Sequence, residues 1–306
     1  MIRRRGTHDL VVIGGGVAGL SAAAYVARFG RQVALAEARG IFGGLIANIG
    51  RVDGVLPSYT ASGQGLATDL MQACTSAGVA MLDGEVTSVA NGGVLKVAMA
   101  DGKQYPARTI IVASGGTLRK LKVPGEDEFV GSGVSHCATC DGAFFKSGEV
   151  VVIGGGNAAA QEAIILSGIC RAVTVVSRSP LRACQSYIEQ LSARPNVKFI
   201  WNATVDAILG TTRVEGVRIR DLRTGSTRDH PCAGVFPFIG VEPNAGFVPA
   251  ALKDEVGYIR TDESLATEEN GIFAAGHVRR GYGGQVAQAA AEGITAGQAA
   301  LAYLHA

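Results

Sequence analysis

The chain has 306 residues, a net charge of +2 and a hydrophobic content of 47%, enough to build two ordinary buried cores. Its charges are scattered and Arg3-Arg4-Arg5 is the one basic cluster, so it lacks the basic stripe of a nucleic-acid binder and that cluster is expected to be a solvated tail. Six cysteines in a chain of this length exclude the disulfide framework of a small secreted domain.

The first expected element is the apolar strand Leu10-Val11-Val12-Ile13, which runs into Gly14-Gly15-Gly16-Val17-Ala18-Gly19. Leu10 to Ala27 carries no charge and would satisfy a hydropathy window for a membrane span. The glycines argue otherwise, because they divide the run into a strand, a turn and a small-residue helix. No other stretch looks membranous, so the expectation is a soluble, cytoplasmic protein with no membrane partner. A second strand, Gln32-Val33-Ala34-Leu35-Ala36, leads to Glu37, which lies 18 residues after Gly19, where a carboxylate binds a ribose diol. In such a βαβ unit Gly14 makes the tight turn, Gly16 lets the backbone approach a pyrophosphate, and Gly19 lets helix and strand pack closely. The pyrophosphate then lies on free amides at the helix N-terminus.

Val86-Thr87-Ser88-Val89 and Val94-Leu95-Lys96-Val97-Ala98, on either side of Asn91-Gly92-Gly93, have the pattern of a β-hairpin. The apolar run Ile110-Ile111-Val112-Ala113 ends in Ser114-Gly115-Gly116. Then comes His136-Cys137-Ala138-Thr139-Cys140-Asp141, the one place where two cysteines are paired by spacing. Cys74, Cys170, Cys184 and Cys232 are isolated and are expected to be small buried hydrophobes. His8, His136, His230, His277 and His305 are too dispersed to complete a zinc site with a lone CxxC, so no metal is expected.

The strand-and-glycine pattern then repeats. Val150-Val151-Val152-Ile153 enters Gly154-Gly155-Gly156-Asn157-Ala158-Ala159 and is followed by Ala172-Val173-Thr174-Val175-Val176. Gly154, Gly156 and Ala159 occupy the three positions of the earlier loop, and Asn157 opens the helix. The position matching Glu37 is Ser177, followed by Arg178-Ser179-Pro180-Leu181-Arg182. A missing acid there argues against a free ribose diol. A further hairpin is expected around Arg223-Thr224-Gly225-Ser226, a strand at Gly271 to Gly276, and a closing helix from Gln285 to His305. The fold class is α/β, with two Rossmann-like units and a dithiol in sequence between their glycine loops.

Val123-Pro124-Gly125-Glu126, the stretch from Gly133 through His136-Cys137-Ala138-Thr139-Cys140-Asp141 to Phe145, and Val235-Phe236-Pro237-Phe238-Ile239-Gly240 resemble the low-molecular-weight thioredoxin reductases. The resemblance covers nearly the whole chain. It implies an FAD domain made of residues 1–117 and 245–306, with a nucleotide-binding domain, 118–244, inserted in it and carrying the CxxC. It implies a homodimer and a thioredoxin-like disulfide substrate. It places Cys140 on the flavin side, Cys137 as the sulfur that exchanges with substrate, and Asp141 as the nearby acid. FAD contacts are implied at Gly14, Gly16, Gly19, Glu37, Gly44, Gly276, His277, Gln285 and Val286. The second nucleotide is implied at Gly154, Gly156, Asn157, Ala159, Ser177, Arg178 and Arg182.

Three departures from the family pattern shape the expected donor. His277 stands where an acidic residue usually meets the flavin's ribityl chain. Ser177-Arg178-Ser179 replaces His-Arg-Arg at the 2′-phosphate. Gly43-Gly44-Leu45 and the segment from Val52 to Tyr59 differ from the sequence usual near the isoalloxazine. The resulting expectation is an FAD-dependent disulfide reductase whose donor is not NADPH, either a ferredoxin-like protein or a second FAD in the nicotinamide site. The alternative is a conventional NADPH enzyme. An alternative of another class is a flavin-binding redox sensor or docking module with little turnover.

Overall fold

A computed structural model describes residues 6–49, 52 and 62–306. Arg3-Arg4-Arg5 and the stretch from Asp53 to Tyr59 lie outside the described residues. The chain divides into two compact units, one of Met1–Thr117 with Glu242–Ala306 and the other of Leu118–Val241.

The first unit begins with β1 (His8–Ile13), α1 (Val17–Ala27) and β2 (Val33–Glu37). From Asp9 to Ile13 every residue of β1 is buried, as a strand covered on both faces of a parallel sheet must be. α2 (Gly63–Ser76) and β3 (Ala80–Asp83) follow. The Ser62 hydroxyl caps α2 by accepting from the Gly65 N–H at 3.0 Å. β4 (Val86–Asn91), β5 (Leu95–Met99) and β6 (Gln104–Val112) form an antiparallel meander. Leu95, Val97 and Met99 are buried while Lys96 between them is exposed, the alternation of a sheet with one wet face. The expected hairpin is present, with the Asn91 side chain accepting from Gly93 N–H at 3.1 Å in its turn.

β7 (Gly116–Leu118) leads into the second unit. Here α3 (Ala138–Asp141) is a single turn carrying the second cysteine. β8 (Glu149–Ile153), α4 (Asn157–Ser167), β9 (Ala172–Ser177), α5 (Gln185–Ser192) and β10 (Val197–Trp201) repeat the βαβ pattern. β11 (Ala203–Gly210), β12 (Val214–Asp221) and β13 (Thr227–Pro231) make a separate three-stranded antiparallel sheet. β14 (Gly234–Pro237) completes the parallel sheet, in the order β10-β9-β8-β14. The turn between β12 and β13 is the expected one, with Asp221 accepting from the Arg223 and Thr224 amides at 2.8 and 3.1 Å.

The chain re-enters the first unit through β15 (Val241–Pro243), which pairs with β7. β16 (Ile272–Ala274) pairs with β6, so the first sheet runs β3-β2-β1-β6-β5-β4 with β16 added beside β6. α6 (Val286–His305) closes the chain. It packs on α1 through small residues: Gly293 lies so close to the Ala18 carbonyl that no side chain would fit there. Close helix approach through glycine and alanine explains why both helices are so poor in large residues.

Candidate functional site

In the first unit, β1 turns into α1 at Gly14, whose φ of +106° is a conformation that favours glycine. A Cβ there would also strike the Ala113 carbonyl, so the turn has no room for a side chain. Gly19 packs against the Gly14 carbonyl just as tightly. Gly16 is different, since a Cβ added there would meet nothing within 4 Å. It caps α1 without a side-chain hydrogen bond, which leaves the first amides of the helix facing open space. Glu37, at the end of β2, accepts from the Gly15 N–H at 2.7 Å and the Arg39 N–H at 3.0 Å. One carboxylate therefore ties the glycine loop to the strand that follows it.

These groups line a cavity of about 820 Å³, toward the upper end of the ~300–1,000 Å³ usual for small-molecule sites. Gly14, Gly16, Glu37, Gly44, Gly276, His277 and Val286 are in its wall. Gly19 is not part of that wall and serves the packing beneath it. Gln285 is exposed at the N-cap of α6, where its carbonyl accepts from the Tyr282 hydroxyl at 2.7 Å. A helix N-terminus for an anion and a carboxylate at the strand end for a diol, both lining one cavity of this size, suit a dinucleotide.

The loop that brings His277 to the cavity is held by a residue that the sequence analysis did not single out. Glu292 of α6 is buried, and its carboxylate accepts from the Gly276 N–H at 2.8 Å, from Arg279 Nε and Nη2 at 2.9 and 2.6 Å, and from Gln288 Nε2 at 2.8 Å. Its signal was a lone carboxylate in the Ala/Gly-rich run Ala289-Ala290-Ala291-Glu292-Gly293. The Arg279 guanidinium is committed to Glu292, with only 16% of the side chain exposed. His277 packs on the Tyr282 ring with 5.0 Å between centroids. Burial holds the His277 imidazole below its ordinary range and pushes the Tyr282 phenol up to about 12, so both are neutral near pH 7.

In the second unit the same backbone device recurs with different side chains. Gly154 has a φ of +142° and Gly156 again opens onto empty space. Ser177 lies buried under the loop, where a Cβ on Gly155 would come within 2.7 Å of its hydroxyl. Glu37 and Ser177 thus occupy corresponding places beneath the middle glycine, but only the first offers a carboxylate. Asn157 accepts from the Cys184 N–H at 2.7 Å, and the Gly155 carbonyl accepts from the Arg182 N–H at 2.7 Å. These bonds fold the segment from Arg178 to Cys184 back over the loop, with the Arg178 and Arg182 side chains exposed. Ala159 is fully buried against the strand.

Also in the second unit, Cys137 and Cys140 form a disulfide, with 5.3 Å between Cα atoms. Cys137 is 8% exposed, whereas Cys140 is exposed. Cys137 Sγ accepts from the Cys140 N–H at 3.2 Å. The Ser135 hydroxyl donates to Asp141 Oδ2 at 2.6 Å and itself accepts from the Cys137 N–H at 3.1 Å. A carboxylate, a hydroxyl and both sulfurs are therefore gathered on one turn. Glu162 of α4 accepts from the Ala138 N–H at 2.7 Å, a contact from outside that turn. Of the isolated cysteines, Cys74, Cys170 and Cys232 are buried and their thiols are pushed by burial up to about 11, 11 and 12. Cys184 departs from the expectation and is exposed, because it sits in the loop before α5.

The family model for pyridine nucleotide-disulphide oxidoreductases matches residues 8–293. The thioredoxin reductase of Treponema pallidum is 39% identical over 301 residues, 97% of both chains. The chain belongs to the thioredoxin reductases of that family. Among solved structures, the thioredoxin reductase of Lactococcus lactis superposes with a TM-score of 0.92 at 34% identity, over 98% of this chain and 99% of that one. The atypical thioredoxin reductase TRi of Desulfovibrio vulgaris is less similar, with a TM-score of 0.52 and 25% identity over 98% of both chains. Membership makes the chain an oxidoreductase of the flavoprotein disulfide reductase type, and it implies FAD and a pyridine nucleotide. Among the described residues no helix is long and apolar enough to cross a membrane.

Proposed function

We propose that this thioredoxin reductase family member carries electrons from NADPH through FAD to the Cys137–Cys140 pair, and from there to the disulfide of a thioredoxin-like protein. The observation that carries the reading is the closed disulfide on the α3 turn, beside Asp141, in a chain that also holds a dinucleotide-sized cavity. NADPH is favoured over the non-NADPH donors expected from the sequence departures for two reasons. The chain is closer to conventional thioredoxin reductases than to the atypical one. Beyond β9 there are two exposed arginines and no carboxylate at Ser177, which suits a ribose bearing a phosphate.

FAD would be held by the amides around Gly14 and Gly16, by Glu37, and by Gly44, Gly276, His277 and Val286 in the cavity wall. When bound, it supplies two-electron transfer between the pyridine nucleotide and the disulfide. The chain's own residues do the rest. By resemblance Cys140 is the sulfur on the flavin side and Cys137 the one that exchanges. The Cys140 N–H on Cys137 Sγ favours a thiolate at Cys137. That thiolate attacks one sulfur of the partner's disulfide. Cys140 then closes on Cys137, so the partner leaves as a dithiol and the Cys137–Cys140 disulfide returns. Asp141, oriented by Ser135, is the group placed to give a proton to a departing thiolate. Cys137 must be uncovered for the attack, since it is buried in the oxidised chain.

The test is flavin stoichiometry on the purified chain, then anaerobic titration with NADPH while flavin absorbance is followed. One FAD per chain that bleaches with NADPH is the expected result. Two FAD per chain, or one that ignores NADPH, overturns the donor assignment. Replacing Arg178 and Arg182 together by Gln is expected to raise KM for NADPH by about 10–100-fold with kcat largely kept, because charge-assisted contacts to a phosphate bind substrate and transition state alike. An unchanged KM would remove these arginines from the site. Gly16→Ala tests the first cradle. The added methyl meets no protein atom within 4 Å, so stability should stay within about 1 kcal/mol. FAD affinity should fall tenfold or more, measured by flavin retained on dilution.

A further inference from the structure

α4 has a second contact with the redox chemistry besides its N-terminal glycine loop. From its second turn Glu162 reaches the CxxC turn, and Oε2 accepts from the N–H of Ala138, the residue after Cys137, at 2.7 Å. Ala138, whose amide it holds, is fully buried in a core with Ala159, Ala163 and Leu166, and Glu162 itself is half-buried. Burial pushes the carboxyl up from the usual carboxylate range against the opposing pull of the Ala138 amide, and no neighbouring charge contributes to that shift. The other titratable groups around the turn are otherwise engaged. Asp141 accepts from Ser135, and His136 Nδ1 contacts the Pro237 carbonyl at 3.2 Å.

Two effects on the dithiol follow. The hydrogen bond fixes where α3 begins, and so where the two sulfurs sit. The charge acts on the reduced form alone, because a disulfide carries no charge while a dithiol ionises to a thiolate. A carboxylate held on the amide that follows Cys137 disfavours a nascent thiolate on this turn, the like-charge case of a perturbed thiol. Stabilising the thiolate makes a disulfide more oxidising, so destabilising it makes the couple more reducing.

We propose that Glu162 is a positioning residue for the Cys137–Cys140 couple: it holds the first amide of α3 and, through its half-buried charge, keeps the couple reducing enough to pass electrons outward. The proposal rests on the reading of Cys137 and Cys140 as the redox pair, and its test is independent of turnover. Full-length protein is equilibrated against dithiothreitol redox buffers and quenched in acid. The free thiols are then alkylated, and the ratio of oxidised to reduced Cys137–Cys140 peptide is read by mass.

Glu162→Gln keeps an oxygen for the Ala138 amide and removes the charge. It is expected to shift the equilibrium toward the dithiol by about tenfold, which is about 30 mV for a two-electron couple. The pH midpoint for alkylation of the more reactive cysteine should fall in parallel. Glu162→Asp keeps the charge and should stay within about threefold of wild type. A Gln variant indistinguishable from wild type, or one that becomes more reducing, overturns the proposal. A purely structural role predicts that outcome, with Glu162→Ala lowering the melting temperature and nothing else. If the Gln variant does not fold, the Asp variant decides, because a charge-set couple predicts a near-wild-type ratio and a large shift overturns it. Failure of the catalytic reading would show separately, as turnover that survives Cys137→Ser.

Discussion

Cys137→Ser is expected to reduce disulfide turnover by roughly 1,000-fold or more, the scale on which losing a nucleophile from a concerted group acts. Serine keeps the shape but has no accessible anion to attack sulfur. The amide that would favour a thiolate at position 137 (Cys140 N–H, 3.2 Å from Sγ) then has nothing useful to stabilise. The assay is NADPH oxidation coupled to reduction of a thioredoxin disulfide. Cys140→Ser should fail in a different way. Cys137 can still attack, but no second thiol resolves the product, so a mixed disulfide with the partner should accumulate. Intact mass finds the adduct, and peptide mapping must place it at Cys137 rather than at the exposed Cys184. If turnover survives both substitutions, the dithiol is not the route of electrons, and the chain is a flavoprotein of another kind. Binding without turnover in the unaltered protein would instead favour a redox sensor.

Glu292→Ala carries the largest expected cost in stability, about 3–5 kcal/mol, the usual scale for removing one partner of a buried ion pair. Four donors lose their acceptor together: the Gly276 amide, two nitrogens of Arg279 and the Gln288 amide. The Arg279 charge is left in a site where only 16% of its side chain reaches solvent. Urea unfolding of the full-length chain measures the loss. Arg279→Met in the same background should recover part of it, since the stranded charge is gone, and the double-mutant cycle isolates the pair. A loss below about 1 kcal/mol would mean that solvent reaches the cluster after all. Because Glu292 also sets the Gly276-His277 turn in the cavity wall, weaker flavin retention should accompany the loss of stability.

What could be recognised from the linear chain was what is local. The strand–glycine–helix units, the hairpin around Asn91-Gly92-Gly93 and the pairing of Cys137 with Cys140 each depend on residues a few positions apart. Backbone geometry and the β or α period constrain such groups directly, so their identities suffice. The placing of Glu37 belongs here too, since its distance from Gly19 follows from one helix and one strand.

The donor shows the limit of such reasoning. The departures at Ser177 and His277 were weighed as losses from a family pattern, which led toward a donor other than NADPH. In the folded chain Ser177 is buried beneath Gly155, while Arg178 and Arg182 remain exposed around the loop. The comparison with whole chains favours a conventional reductase.

Contacts between residues distant in sequence were not legible in advance. Arg279 is paired with Glu292, which α6 brings under it from 13 residues on. Cys184 looked like the other isolated cysteines, yet the loop before α5 exposes it. Glu162 reaches an amide 24 residues earlier, a contact that its place on α4 does not reveal. The physical reason is common to all three. A buried charge or an exposed thiol is defined by what packs against it, and the neighbours are chosen by the meeting of helices and strands far apart in the chain, not by the spacing of residues along it.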